Sequence, residues 1–146
     1  MKRSPELSPL SHDHHKALAI AQRLRRAEDA DVSKTAAAFF DYWRDHGAHH
    51  FRIEEEILLP GWVDGDAAAD RALAGRMADE HLEIRIAVRR LECGDPSRDA
   101  LRELGGLLER HVRFEERELF PQIEAGLDPR TIAALGERIE CAERAG

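Results

Sequence analysis

The 146 residues are enough for one domain with a real core, and a chain rich in alanine, leucine, arginine and glutamate with 5% aromatic residues favours helix over sheet. A formal charge of −7 argues against non-specific binding to nucleic acid or to an anionic membrane. No run approaches the roughly 18 apolar residues of a membrane span, the start lacks the apolar centre of a signal peptide, and Cys93 and Cys141 form no CxxC pattern. A cytoplasmic chain with two unpaired thiols is expected.

Residues 1–9, with Pro5 and Pro9, read as an irregular lead-in. A helix is predicted from Leu10, with Leu10, His14, Ala17, Ala21 and Leu24 on one stripe and Ser11 and Asp13 as caps or first-turn residues. It fades at the polar break Glu28-Asp29-Ala30-Asp31. A second helix runs from Asp31 or Ser33 to Pro60-Gly61, its inward stripe being Phe39, Trp43, His46 or Gly47, His50, Ile53 with Glu54, and Ile57. Asp64-Gly65-Asp66 reads as a turn. A third helix carries Leu73, Met77, His81, Ile84, Val88 and Leu91, and Gly94-Asp95-Pro96 supplies a C-cap, an N-cap and a first-turn proline. The fourth shows Leu101, Leu104, Leu108, His111, Phe114 with Glu115, and Leu119, closing at Pro121 or Gly126. Asp128-Pro129 opens a short fifth segment with Ile132, Leu135 and Ile139 on one side. The expected fold is all-α: an up-down four-helix bundle with an additional short C-terminal helix, one domain over 1–146 with its core at about 10–121 and the last helix at about 128–144.

One phrase occurs twice. His50-Phe51-Arg52-Ile53-Glu54-Glu55 through Leu59-Pro60 returns as His111-Val112-Arg113-Phe114-Glu115-Glu116 through Phe120-Pro121. Residues four apart share a helix face, so each phrase presents an imidazole beside a carboxylate. With His14 and His81 on the other two helices, four imidazoles and two carboxylates converge on the core. Unpartnered, such groups would oppose folding, and metal cations satisfy them. Donors of this kind without thiolate suit iron, manganese or zinc. The ferritin-like pattern of Glu three residues before His is absent, since no histidine here has Glu or Asp at that position. A lone His-x-x-x-Glu is a common surface pattern; the in-frame duplication is what marks this one.

These phrases, with Asp13-His14 and Glu80-His81, resemble the hemerythrin-like family, also called the HHE cation-binding domain, over about residues 10–121. The resemblance implies a hemerythrin-like bundle holding two non-haem iron ions, with an oxo or hydroxo bridge. By the same likeness His14, His50, Glu54, His81, His111 and Glu115 are ligands, the two glutamates bridging. Oxygen-carrying members have two histidines four apart on the third helix; here Met77 and Arg85 flank His81 at that spacing, so reversible oxygen carriage is not expected.

His15 is the rival to His14, and His46 is an alternative ligand or outer partner. His12 and His49 are expected to face solvent, and Glu55, Glu56, Glu116 and Glu118 to form solvated faces that tune the centre from outside. Asp13, Glu80 and Tyr42 are candidate hydrogen-bond partners of bound imidazoles. Arg52 and Arg113 read either as charge compensation near the carboxylates or as surface ion pairs. No nucleophile or proton relay stands out beyond the ligands. The expected function is therefore binding or sensing of oxygen, nitric oxide, peroxide or redox state, with a diiron oxidase, peroxidase or nitric-oxide catalyst, or an iron-handling bundle, as alternatives. The length leaves no room for a built-in output module, so sensing would use a partner protein, and the apolar side of the fifth helix could cover the bundle or meet a second copy.

Overall fold

The computed structural model describes residues 2–63 and 68–146, so the expected turn at Asp64-Gly65-Asp66 lies outside the described residues. Five helices account for nearly all of it: α1 (Ser8–Arg25), α2 (residues 32–62), α3 (Ala68–Cys93), α4 (residues 98–126) and α5 (Pro129–Ala145). The first four form the bundle. The fifth lies across α1 and α2 and buries Ile132, Leu135 and Ile139.

Helix ends follow local chemistry, with three departures. Asp128 caps α5 as expected, its carboxylate accepting from the Thr131 N–H at 2.8 Å with Pro129 in the first turn. Ser97, not Asp95, caps α4, because its hydroxyl is placed to accept from the Ala100 N–H at 3.1 Å. Gly94 does not take the left-handed C-cap conformation, since no described glycine has positive φ. Ser11 and Asp13 do not cap α1. Their side chains turn inward to Glu116 and His50. The lead-in is tied down: Leu7 is fully buried, and Arg3 and the Ser4 N–H both reach Glu124.

The two long phrases do not continue as plain α-helix. The Leu59 N–H reaches back five residues to the Glu54 carbonyl, and the Phe120 N–H does the same to Glu115. Pro60 and Pro121 explain this. Each follows immediately, offers no N–H, and carries a ring that cannot sit against the carbonyl four residues back, so the preceding turn widens into a π-turn. In a straight helix a step of four residues drifts by about 40°. The extra residue cancels that drift, so 50, 54, 58, 62 and 111, 115, 119, 123 are all buried. This corrects the expected stripe: Leu58 is fully buried and Ile57 only partly. A further π-turn over Trp43–Gly47 turns Gly47 inward and leaves His46 exposed.

The core is split into two apolar layers. Ala17, Ala21, Leu24, Phe39, Ile84, Val88 and Leu108 belong to one, and Leu10, Ile53, Leu58, Met77, Leu119 and Phe120 to the other. Along α1 the order is Leu10, His14, Ala17; along α3 it is Met77, His81, Ile84. Every histidine of the stripe falls between the layers. At the α1–α4 contact a Cβ on Gly105 would stand 2.7 Å from the Ala21 carbonyl and 2.8 Å from the Leu24 Cβ. Backbone cannot yield there, so Gly105→Ala should destabilise the chain by about 1–3 kcal/mol in thermal or denaturant unfolding. An unchanged midpoint would mean that the two helices are not in this register.

Candidate metal centre

His14, His50, His81 and His111 are between 1 and 5% exposed, and Glu54 and Glu115 are fully buried. All six converge between the two apolar layers. Donor atoms of His14, His50, Glu54 and Glu115 lie within 4.8 Å of one another, as do those of Glu54, His81, His111 and Glu115. The two groups therefore share both carboxylates, while each keeps its own pair of imidazoles. Every imidazole turns Nε2 inward: His14 to Glu115 at 3.0 Å, His50 to Glu54 at 3.2 Å, His111 to Glu115 at 3.3 Å, and His81 to within 3.1 Å of His111 Nε2.

The outer nitrogens are held in a closed ring. His14 Nδ1 donates to Glu116 (2.8 Å), His50 Nδ1 to Asp13 (3.1 Å), His81 Nδ1 to Glu55 (2.7 Å) and His111 Nδ1 to Glu80 (2.9 Å). The acid just before His14 or His81 holds the histidine of the next helix. The acid just after Glu54 or Glu115 holds the histidine of the remaining one. Each link joins a different pair of helices, so α1 reaches α2, α2 reaches α3, α3 reaches α4, and α4 returns to α1. Two aromatic rings close the faces: Phe51 stacks on His81 with centroids 3.8 Å apart, and Phe120 on His14 at 5.4 Å.

A third layer backs the ring. Arg85 holds Glu55 through two contacts of 2.6 and 2.9 Å, Arg76 holds Glu80 at 2.9 Å, and Arg3 reaches Glu116. Asp13 has a carboxyl instead. Glu143, near the end of α5, is pushed up to about 8 by burial and by the neighbouring Asp13, and it hydrogen-bonds Asp13. A cavity of about 280 Å³ opens there, lined by Asp13, Lys16, His46, His49, His50 and Glu143.

The other candidates are placed elsewhere. His15 is exposed beside His12, with ring centroids 6.0 Å apart, because one residue along α1 turns it about 100° from His14. His46 is exposed on the rim of the cavity and touches Tyr42, so neither is an alternative donor to the central cluster. Tyr42 packs against Phe39 and His46, and the imidazoles are held by carboxylates rather than by its hydroxyl. His49 does not face solvent freely: its Nε2 lies 2.9 Å from the Ala142 carbonyl of α5. Glu56 and Glu118 are on the surface, but Glu55 and Glu116 are part of the ring. Arg52 pairs with Glu56 and Arg113 with Glu109, both on the outside, so their recurrence reflects surface ion pairs. The signal that would have marked Glu55 and Glu116 is the doublet itself, Glu-Glu in both phrases.

The donors fit a cation better than they fit one another. Both Glu54 oxygens, one Glu115 oxygen and His50 Nε2 are buried without a hydrogen-bond partner. Such groups cost about 1–3 kcal/mol each, more when charged, unless something binds them. Imidazole and carboxylate without thiolate is a donor set for iron, manganese or zinc. These features define a helical bundle built to hold metal cations. The Hemerythrin HHE cation binding domain profile matches residues 7–123, and the chain belongs to that family; α5 lies beyond the matched residues. No curated protein and no solved structure matches the chain significantly. Among the described residues no helix is long and apolar enough to cross a membrane.

Without metal the cluster is held by protons. Burial opposes charge on His81 and His111, but the surrounding carboxylates outweigh it and push them up to about 11 and about 9 from an ordinary value of 6.5. Glu115, fully buried, is held well below the carboxylate range because His111, His14 and His81 surround it. The raised imidazoles stabilise the fold fully below their unfolded value, and that contribution is lost as pH rises through about 9 and then about 11. The melting temperature of chelator-treated protein should therefore fall on the alkaline side of neutrality, while the gain on adding metal grows, since metal replaces protons. A flat metal-free profile across that window would sink this account.

Proposed function

We propose that the chain holds two non-haem iron ions and binds or senses a small ligand such as O2, NO or peroxide, as a cytoplasmic protein. The observation that carries this is the pair of donor groups: two imidazoles each, sharing Glu54 and Glu115. His14 and His50 would hold one ion, His81 and His111 the other, and the two carboxylates would bridge them. Iron bound there supplies a change of oxidation state and an exchangeable position for a small ligand; manganese or zinc would fit the same donors.

The protein's own part is orientation and exclusion. Asp13, Glu55, Glu80 and Glu116 fix the tautomer in which Nε2 is free to face inward. Phe51 and Phe120 cover His81 and His14 and keep water from those faces. Met77 is fully buried in apolar surroundings and Arg85 is engaged with Glu55, so neither adds a donor beside His81. With no second histidine four residues from His81, sensing or redox response is favoured over reversible oxygen carriage. A dioxygen, peroxide or nitric-oxide catalyst remains the alternative, and sustained turnover with a reductant would select it.

Elemental analysis after anaerobic loading with ferrous iron should give about two irons per chain, with charge-transfer absorption appearing in air. Glu54→Ala and Glu115→Ala should lower metal content to a similar degree, and Glu55→Ala and Glu116→Ala should weaken metal affinity by about 10–100-fold through their imidazoles. Unchanged metal content in both bridging variants would refute the assignment.

A further inference from the structure

We propose that the outer face of α3 is a self-association surface on which two copies of the chain pair antiparallel. The two large apolar side chains left exposed among the described residues are Leu82 (58%) and Ile86 (43%), one turn apart on this helix. They belong to a pattern. Gly75, Asp79, Leu82, Ile86, Arg89 and Cys93 follow one another at intervals of four, three, four, three and four, and all six are exposed. That is the spacing of a helix–helix seam. The buried stripe of α3, Met77, His81, Ile84 and Val88, lies on the opposite side. The helix therefore carries two faces, one spent on the bundle and one exposed, without an apolar partner among the described residues.

The order of residue types selects the partner. Counted outward from the midpoint between Leu82 and Ile86, the seam reads apolar against apolar, then Asp79 against Arg89, then Gly75 against Cys93. Two copies related by a two-fold axis make each of these contacts twice. Parallel pairing would instead set Asp79 against Asp79 and Arg89 against Arg89, like charges face to face. Among the described residues Arg89 forms an exposed ion pair with Glu92 at 3.5 Å, a pair of little worth that is readily exchanged. A side chain on Gly75 would meet nothing within 4 Å, so the end of the seam is open to an approaching helix. The seam is about 27 Å long, and one helix pair of that length gives a small interface and a concentration-dependent dimer. His81 faces the other way, so pairing leaves the metal centre uncovered and stands or falls separately from the metal reading.

Sedimentation or light scattering of the full chain, from micromolar to millimolar concentration and with and without metal, should show a monomer–dimer equilibrium. Leu82→Glu combined with Ile86→Glu should yield monomer at every concentration with unchanged helical content by circular dichroism. Asp79→Arg and Arg89→Asp should each weaken the dimer roughly tenfold or more, and the two together should restore it. In a Cys141→Ala background, Gly75→Cys should give an oxidised, covalent dimer through Cys93, whereas Cys93 alone should not. A chain that stays monomeric at millimolar concentration, a dimer indifferent to the Leu82 and Ile86 substitutions, or cross-linking through Cys93 alone would overturn the proposal.

Discussion

Two fully buried carboxylates are the constraint on which the structure depends. Glu54 and Glu115 have no exposed surface, and three of their four oxygens have no hydrogen-bond partner. A charge in that position must be met by opposite charge at short range or it displaces the fold toward the unfolded chain. Four imidazoles, arriving from four helices, meet it from every side. Protons on the imidazoles do this up to alkaline pH, and metal cations can take their place, so the same geometry that burdens the bundle makes it a cation site. Placing the polar layer between two apolar layers adds to the effect, because the low-dielectric surroundings strengthen each contact and penalise each missing one.

The ring of outer carboxylates turns this local demand into tertiary structure. Each of Asp13, Glu55, Glu80 and Glu116 joins its own helix to an imidazole of a neighbour. A shift of any helix along its axis would break two such links and tilt two imidazoles away from the centre. Hydrophobic packing alone tolerates small sliding, whereas hydrogen bonds near 3 Å do not. The stacked rings of Phe51 and Phe120 are consistent with that rigidity, since an imidazole free to rotate would not lie flat against them.

Much of this was legible in the sequence, and for identifiable reasons. The duplicated phrase and the period of the apolar stripes place His14, His50, His81, His111, Glu54 and Glu115 on inward faces, because side-chain direction in a helix follows from position. The π-turns were harder. Leu-Pro and Phe-Pro in both phrases are their cause, but a proline inside a helix has several outcomes, and only the packing of Leu58 and Leu119 selects the widened turn. Glu55 and Glu116 read as surface because they sit about 100° from the stripe. What brings them inward is a long side chain reaching across to the next helix, which no single-helix pattern encodes. Ser11 was missed as a site residue for the same reason: it looks like a helix cap until a neighbour's glutamate arrives, whereas Asp13 was legible as an imidazole partner as well as a cap. The covering of His49 depends on α5, an element whose docking position its own sequence does not specify.

The likeness between the two halves of the bundle makes its one break informative. Three outer carboxylates are backed by guanidinium groups from Arg3, Arg76 and Arg85, which stay charged at any working pH. The fourth, Asp13, is backed by Glu143, a carboxyl held up to about 8 and therefore largely protonated at neutrality. The His81–His111 half thus has a guanidinium behind each of its outer carboxylates, whereas the His14–His50 half has one guanidinium and, beside Asp13, a titratable acid with Lys16 nearby. The two donor groups, with the same kinds of inner donors, then sit in different electrostatic surroundings. The difference is imposed by α5, which lies outside the family-matched residues. The inner donors are set by the bundle, and the last helix distinguishes one side of the centre from the other.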